Sequence, residues 1–103
     1  MTVHVLAMIT AKPGQRATIL AAFAENRPNV LAEAGCIAYE ATVDLPDVGP
    51  IQTPLGPDSF VVIERWESLE ALKAHAAAPH MAAYAAKTRP LVATRAVHVL
   101  GGV

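Results

Sequence analysis

The sequence predicts an α+β fold in which the chain order β-α-β-β-α-β forms a four-stranded antiparallel sheet with both helices on one face. Three observations lead to this prediction. Apolar residues recur with helical spacing in two segments, β-branched runs of strand length flank those segments, and glycines and prolines separate the elements. With 103 residues the chain is long enough for one domain, spanning residues 1–103.

The first half of the chain is predicted to form two strands and a long helix. The run Val3–Thr10 is rich in β-branched residues and apolar on both faces, so we expect both faces to be covered. Apolar positions recur with helical spacing over Gln15–Ala34, a kink is expected at Pro28, and Gly35 suits a left-handed helix cap. The second strand is predicted at Cys36–Val43.

The second half is predicted to contain the other two strands and a second helical region. Ser59–Glu67 shows the clearest strand pattern, and Ser68 is placed to cap the helix that follows it. Pro79 stops or redirects this helix, and a short helical piece continues over His80–Lys87. The last strand is predicted at Leu91–Leu100. This order of elements is that of the ferredoxin-like, or split βαβ, unit.

The segment Asp44–Asp58 between the second and third strands is predicted to be irregular. It contains four of the eight prolines and two of the six glycines of the chain. Long loops without regular structure are usually functional or disordered. Two interpretations therefore stay open, a lid over a site and a disordered linker.

Composition and charge exclude several classes of protein. Hydrophobic residues make up 53% and charged residues 17% of the chain, which is typical of a globular domain. A net charge of −1 lacks the positive excess of a nucleic-acid-binding protein, and charges or prolines interrupt every apolar run before it reaches membrane-spanning length. No secretion signal is recognisable and Cys36 is the single cysteine, so we expect a cytoplasmic protein.

The apolar content is high for so small a monomer, because a domain of this size hides only about two-thirds of the surface of its unfolded chain. In the predicted fold the helices cover one face of the sheet, yet the strands also carry apolar residues on the other face. Two such sheets packed face to face would bury these residues. We therefore expect a homodimer, arranged as a dimeric α+β barrel. Its packed sheets would enclose the water-free chambers in which a reaction takes place.

The stretch Phe60–Tyr84, FVVIERWESLEALKAHAAAPHMAAY, resembles the signature of the antibiotic biosynthesis monooxygenase family. Its marks are a strand ending in E-x-W-E-S, a helix carrying A-H, and the turn P-H-[MF]-x-x-Y. The agreement extends upstream to three short segments of the chain. These are Lys12-Pro-Gly, Glu33-Ala-Gly-Cys and Pro57-Asp-Ser. The resemblance implies a dimeric ferredoxin-like barrel that oxidises a quinol or related small aromatic diol with O₂ as co-substrate and without flavin, metal or haem.

Other activities within this resemblance stay open as alternatives. The haem-degrading branch has an Asn on its first strand, which Val3–Thr10 lacks, and anthrone-oxidising relatives have an Asn where this chain has Val62. Both departures favour the quinol-oxidising branch. One alternative is a non-catalytic protein that binds haem or a hydrophobic metabolite. Another is an isomerase of a small phosphorylated ketone, which would bind phosphate through the available cations Lys73, Lys87, Arg89 and Arg95.

Two histidines are the candidates for catalysis. A quinol gives an electron to O₂ far more readily as its anion, so the site needs a base with a pKa near neutral inside an apolar, aromatic pocket. His75, on the helix after the third strand, is the candidate base, because the unperturbed pKa of histidine is about 6.5. A structural histidine is the alternative. His80 would bind a substrate oxygen or cap the start of the next helix.

Four further residues are candidates for substrate binding. Trp66 would stack on a planar ring, and Glu64 on the same strand face would raise the basicity of a histidine. Tyr84 would donate a hydrogen bond, and Arg95 would hold an oxyanion. Core packing and surface ion pairs are the alternatives for these side chains. No metal or cofactor site is predicted, because the two candidate histidines are five residues apart without further ligands at suitable spacing, and no phosphate-binding loop is present.

Overall fold

Four strands and three α-helices make up the structure, a computed structural model that describes residues 1–103. The predicted elements are all present, and their bounds differ from the expected ones by a few residues. In chain order the elements are β1 Val3–Ala11, α1 Arg16–Leu31, β2 Cys36–Thr42, β3 Ser59–Trp66, α2 Leu69–Ala76, α3 Pro79–Thr88 and β4 Val92–Gly101, with a 3₁₀ turn at Arg89–Leu91 before β4.

All strand pairs are antiparallel, and the strand order is β2-β3-β1-β4. This order confirms the ferredoxin-like α+β fold. On β1 the side chains alternate, so that Val5 and Ala7 face the helices and are buried while Met8 on the opposite face is exposed. We call the helix-covered side of the sheet the inner face and the opposite side the outer face. The outer face carries the apolar residues Leu6, Met8, Val61, Ile63, Ala96 and Leu100.

Helix α1 packs on the inner face through apolar side chains at helical spacing, with Ile19, Phe23 and Val30 in the core. It runs through Pro28 as one element, as expected, and ends three residues before the predicted end. Arg27, directly before this proline, donates from Nε to the carbonyl oxygen of Tyr39 at 2.6 Å. This bond ties the last turns of α1 to β2.

The turn between α1 and β2 approaches α2 very closely. Gly35 has a φ of +84°, the left-handed conformation expected for a helix cap. A Cβ added there would lie 2.6 Å from the Cβ of Ala71, so glycine is required for space as well as for conformation. Ser68 caps α2 as predicted, because its Oγ accepts a hydrogen bond from the Ala71 N–H at 3.1 Å. The close approach places this turn against the first turn of α2.

The loop 44–58 is closed on itself by hydrogen bonds and is tied to α1 near its C-terminal end. The Asp44 carboxylate accepts hydrogen bonds from the N–H groups of Leu55 at 2.8 Å and Gly56 at 3.0 Å, and these bonds lower the pKa of Asp44. Arg16 donates from Nη1 to the carbonyl oxygens of Gly56 and Ser59. None of residues 44–58 lines the cavity described below. The loop is therefore neither a free linker nor a cover of that cavity.

Strand β4 lies at the edge of the sheet, where no helix covers it. Val97 is 42% and Val99 is 51% exposed, although the strand register places both on the inner face. The cavity below therefore has an open side next to β4. None of the helices combines the length and the apolar character that a membrane-crossing helix needs.

Candidate functional site

A cavity of about 300 Å³ lies within one chain, between the inner face of the sheet and the helices. Twenty residues line it, of which 16 are hydrophobic. The sequence-based prediction placed the chambers between the packed sheets of two protomers, whereas this cavity lies on the helix side of one sheet. The difference arises because α2 and α3 cover the inner face without filling it, and their small alanines leave space above β1 and β3.

Four of the five aromatic residues of the chain line this cavity. The rings of Phe23 and Tyr39 stack with centroids 4.9 Å apart and an interplanar angle of 12°. Tyr84 meets Phe23 edge to face at 6.4 Å, and Phe60 contributes from β3. Apolar and aromatic walls with a few polar groups are typical of sites for small organic molecules, and the volume lies at the lower end of their range.

His75 and Glu33 form a hydrogen-bonded pair at the inner end of the cavity. The His75 Nδ1 lies 2.7 Å from Oε2 of Glu33, and because a carboxylate only accepts hydrogen bonds, Nδ1 carries the proton. His75 is 5% exposed and lines the cavity, and its Nε2 has no partner in the chain. This tautomer leaves the lone pair of Nε2 free to accept a proton from a ligand.

Trp66 lies behind His75 and does not line the cavity. It is fully buried, with its ring centroid 4.6 Å from that of His75 and the two planes tilted by 35°. The indole Nε1–H donates to Oε1 of Glu64 at 2.9 Å. The structure therefore places Trp66 as a support for the imidazole, whereas the sequence suggested that it would stack on a substrate.

Glu64 lines the cavity on the same strand face as Trp66, as the strand pattern predicted. It is 7% exposed, and burial raises the pKa of its carboxyl group above the usual range. The hydrogen bond from Trp66 and the charges of His75 and Arg95 oppose this shift in pKa. A carboxyl group in these surroundings can hold a proton nearer to neutral pH than an exposed one.

Two tyrosine hydroxyl groups also belong to the site. Burial raises the pKa of Tyr39 far above its usual range, and burial likewise raises the pKa of Tyr84, with Arg95 opposing the shift. Both phenols are therefore neutral hydrogen-bond donors at physiological pH. Neither hydroxyl has a hydrogen-bond partner in the chain.

His80 lies outside the cavity, at the start of α3. Its Nε2–H donates to Oε1 of Glu33 at 3.2 Å, so that one carboxylate joins the two candidate histidines. The Nδ1 of His80 is buried without a hydrogen-bond partner. The ring lines a shallow depression between α1 and α3 instead.

The structure thus brings four of the predicted site residues to one cavity, namely Glu64, His75, Tyr84 and Arg95. Sequence reasoning missed Glu33 and Tyr39 as members of the site. Glu33 stood in the family-like segment before Gly35, but nothing in the spacing connected it to a histidine 42 residues later. No group of three or more His, Cys, Asp or Glu side chains is arranged to hold a metal ion.

Two sequence comparisons identify the family. Residues 2–87 match the family described as Antibiotic biosynthesis monooxygenase. The chain is also 45% identical over 82 residues to the Probable quinol monooxygenase YgiN of Escherichia coli strain K12, and the match covers 78% of each protein.

Solved structures share the fold of this chain. Rv0793 from Mycobacterium tuberculosis superposes with a TM-score of 0.81 at 26% identity, covering 100% of this chain and 96% of that one. Protein SO0527 from Shewanella oneidensis gives a TM-score of 0.79 at 25% identity, covering 96% and 88%. The matched segment and the identity to the E. coli protein together show that this chain belongs to the antibiotic biosynthesis monooxygenase family.

Proposed function

We propose that the protein is a cofactor-independent monooxygenase that oxidises a quinol or a related aromatic diol with O₂. The observation that carries this proposal is the Glu33-bound His75, whose free Nε2 opens into an aromatic cavity. Family membership supports a monooxygenase activity, and the similarity to a protein named as a probable quinol monooxygenase supports the choice of substrate class.

The chemistry follows from the electronic state of oxygen. Triplet O₂ does not react directly with a closed-shell molecule, so the substrate itself must first donate one electron. His75 accepts the proton of a substrate hydroxyl at Nε2, and Glu33 stabilises the imidazolium through the Nδ1–H bond. The resulting aromatic anion transfers an electron to O₂. The apolar walls favour this step because they hold the anion away from bulk water.

The remaining lining groups bind the substrate. The Tyr84 and Tyr39 hydroxyls donate hydrogen bonds to substrate oxygens, and the positive charge of Arg95 attracts the anionic form. Trp66 and His80 act through other residues, because Trp66 supports the His75 ring and His80 holds Glu33. The balanced overall reaction converts a quinol and O₂ into a hydroxyquinone and water, or into the quinone and hydrogen peroxide.

We also propose that two copies associate through the outer face of the sheet. This face carries apolar side chains on three strands, and exposed Met8 and Leu100 lie on it. A dimer of this kind leaves the cavity on the opposite side of each sheet. Light scattering coupled to size exclusion tests the proposal, because a Met8→Glu variant should shift the mass toward one chain, and a wild-type protein of monomer mass would contradict it.

Neither alternative activity is favoured by the site. Of the four cations available for a phosphorylated ketone, only Arg95 lines the cavity. A cavity of about 300 Å³ also suits a ligand of one or two rings better than a haem macrocycle.

Oxygen consumption with menadiol is the direct test of the proposed function. The rate is measured with and without protein, in air and under nitrogen, after subtraction of autoxidation. We expect protein-dependent oxidation of menadiol with oxygen uptake in air, and no protein-dependent oxidation of menadiol under nitrogen. Equal rates with and without protein would contradict the proposal, and turnover of a ketone without oxygen uptake would favour the isomerase.

A further inference from the structure

The two ends of the cavity differ in chemistry. His75 and Glu64 lie at the inner end, where both side chains are buried. Arg95 lies at the open side on β4, where the strand register pairs it with Ile9 and its neighbour on the inner face is the partly exposed Val97. A ligand that fills the cavity therefore meets a proton acceptor at one end and a permanent cation at the other.

Arg95 is the only lysine or arginine that lines the cavity. Its guanidinium makes no hydrogen bond or ion pair within the chain, whereas Arg16 and Arg27 are each bound to backbone carbonyl oxygens. An exposed arginine that supports no other group contributes little to the fold. Its place at the edge of an otherwise apolar cavity indicates a role toward a ligand.

The surroundings of Arg95 favour an anion at this place. A guanidinium presents a planar fork of N–H donors that matches the two oxygens of a carboxylate. The charge of Arg95 influences both the Tyr84 hydroxyl and the Glu64 carboxyl group, so it acts across the mouth of the cavity. Tyr84 offers a second donor beside it, since its hydroxyl has no partner in the chain.

We propose that the preferred substrates are hydroxylated aromatic acids, which place a ring hydroxyl at His75 and a carboxylate at Arg95. The placement of the hydroxyl rests on the proposed function, but the preference for an acid rests on Arg95 alone. A neutral quinol would leave the Arg95 guanidinium hydrated. It would lose the contact with Arg95 and keep the contact of its hydroxyl group with His75. The selectivity between an acid and its neutral analogue is therefore the quantity that tests the proposal.

The test uses two ligands that are not quinols and cannot turn over. Calorimetry compares 6-hydroxy-2-naphthoate with 6-hydroxy-2-naphthamide, which has the same shape without the charge. We expect the acid to bind about tenfold more tightly, as is typical of one charge-assisted hydrogen-bonded pair near the surface. The Arg95→Gln variant should reduce this ratio to near one, and Arg95→Lys should retain part of it.

The matched control is Arg89→Gln, which removes an exposed arginine outside the cavity and should keep the wild-type ratio. Equal binding of acid and amide to the wild type would overturn the proposal. A ratio that survives Arg95→Gln, with both ligands weakened alike, would also overturn it, because Arg95 would then bind a feature common to both. Since no turnover is needed, either result stands apart from the menadiol test.

Discussion

Two carboxylates accept hydrogen bonds from the neighbouring rings of His75 and Trp66, but they come from different regions of the molecule. Glu64 is held by strand β3, is almost fully buried, and accepts from the indole of Trp66. Glu33 comes from the turn after α1, keeps 17% of its side chain exposed, and accepts from two imidazoles. The indole and the imidazole of His75 then pack on each other.

The difference shows that similar contacts leave the two carboxylates in different surroundings. Glu33 accepts two N–H donors and keeps part of its side chain hydrated, an arrangement that suits the proposed support of the His75 ring. Burial with a single donor disfavours the charge on Glu64, which suits a group that holds or returns a proton. A variant that removes the contact between Glu33 and His75 should therefore leave the contact between Glu64 and Trp66 intact, and the reverse should also hold.

The largest effect is expected for His75→Gln. Glutamine has a similar size and can still donate to Glu33, but it cannot accept a proton from a quinol. We expect kcat to fall roughly 100-fold or more, as is typical for loss of a general base. Steady-state oxygen uptake measures the rate, and circular dichroism checks the fold. An unchanged kcat in a folded variant would show that His75 is not the proton acceptor.

Gly35→Ala should act on the Glu33 side through the backbone. Alanine would be strained at a φ of +84°, and its Cβ would clash with that of Ala71 at 2.6 Å, so we expect about 2 kcal/mol or more of destabilisation in urea unfolding. Gly14→Ala is the matched control, since Gly14 has a φ of +77° with no atom within 4 Å of an added Cβ. Equal losses of stability would show that the close approach to α2 is unimportant.

Glu33→Gln should reduce kcat about tenfold with little change in KM, because the amide keeps an acceptor but loses the charge that stabilises the imidazolium. The split between kcat and KM distinguishes this positioning role from a role in binding. His80→Ala removes only the second hydrogen bond to Glu33 and should have the smaller effect. A rise in KM at constant kcat would contradict the assignment.

The smallest effect is expected for Glu64→Gln, and it concerns stability against pH. Because the pKa of Glu64 is raised in the folded chain, the folded state binds the proton more tightly than the unfolded state. The wild type therefore loses stability as the pH rises above the usual carboxyl range, and the glutamine variant does not. The difference in Tm, variant minus wild type, should grow as the pH rises above the usual carboxyl range of about pH 4. A constant difference would contradict the raised pKa.

Local sequence patterns predicted the fold well because each element carries its own signals. Ser68 marks the start of α2, Gly35 marks the end of the α1 region, and the alternation on β3 placed Glu64 and Trp66 on one face before the structure was known. These signals act over a few residues. They do not depend on how the helices are later packed on the sheet.

The arrangement of the site depends on distances that the sequence does not contain. Glu64 was expected to raise the basicity of a histidine, but the carboxylate bonded to His75 is that of Glu33, because the close approach at Gly35 brings a turn from far along the chain to α2. His80 points away from the cavity because α3 begins anew at Pro79. The side of the sheet that holds the cavity depends on how much space the alanines of α2 and α3 leave.

The tethered loop 44–58 stands clear of the cavity, and the inner face of β4 stays uncovered beside it. Ligand exchange at that opening requires no hinge to swing and no segment to refold. In the proposed reaction, turnover should accordingly depend on solvent viscosity only as far as free diffusion does, and oxygen, small and apolar, would enter behind a bound aromatic ring without waiting for the protein to move.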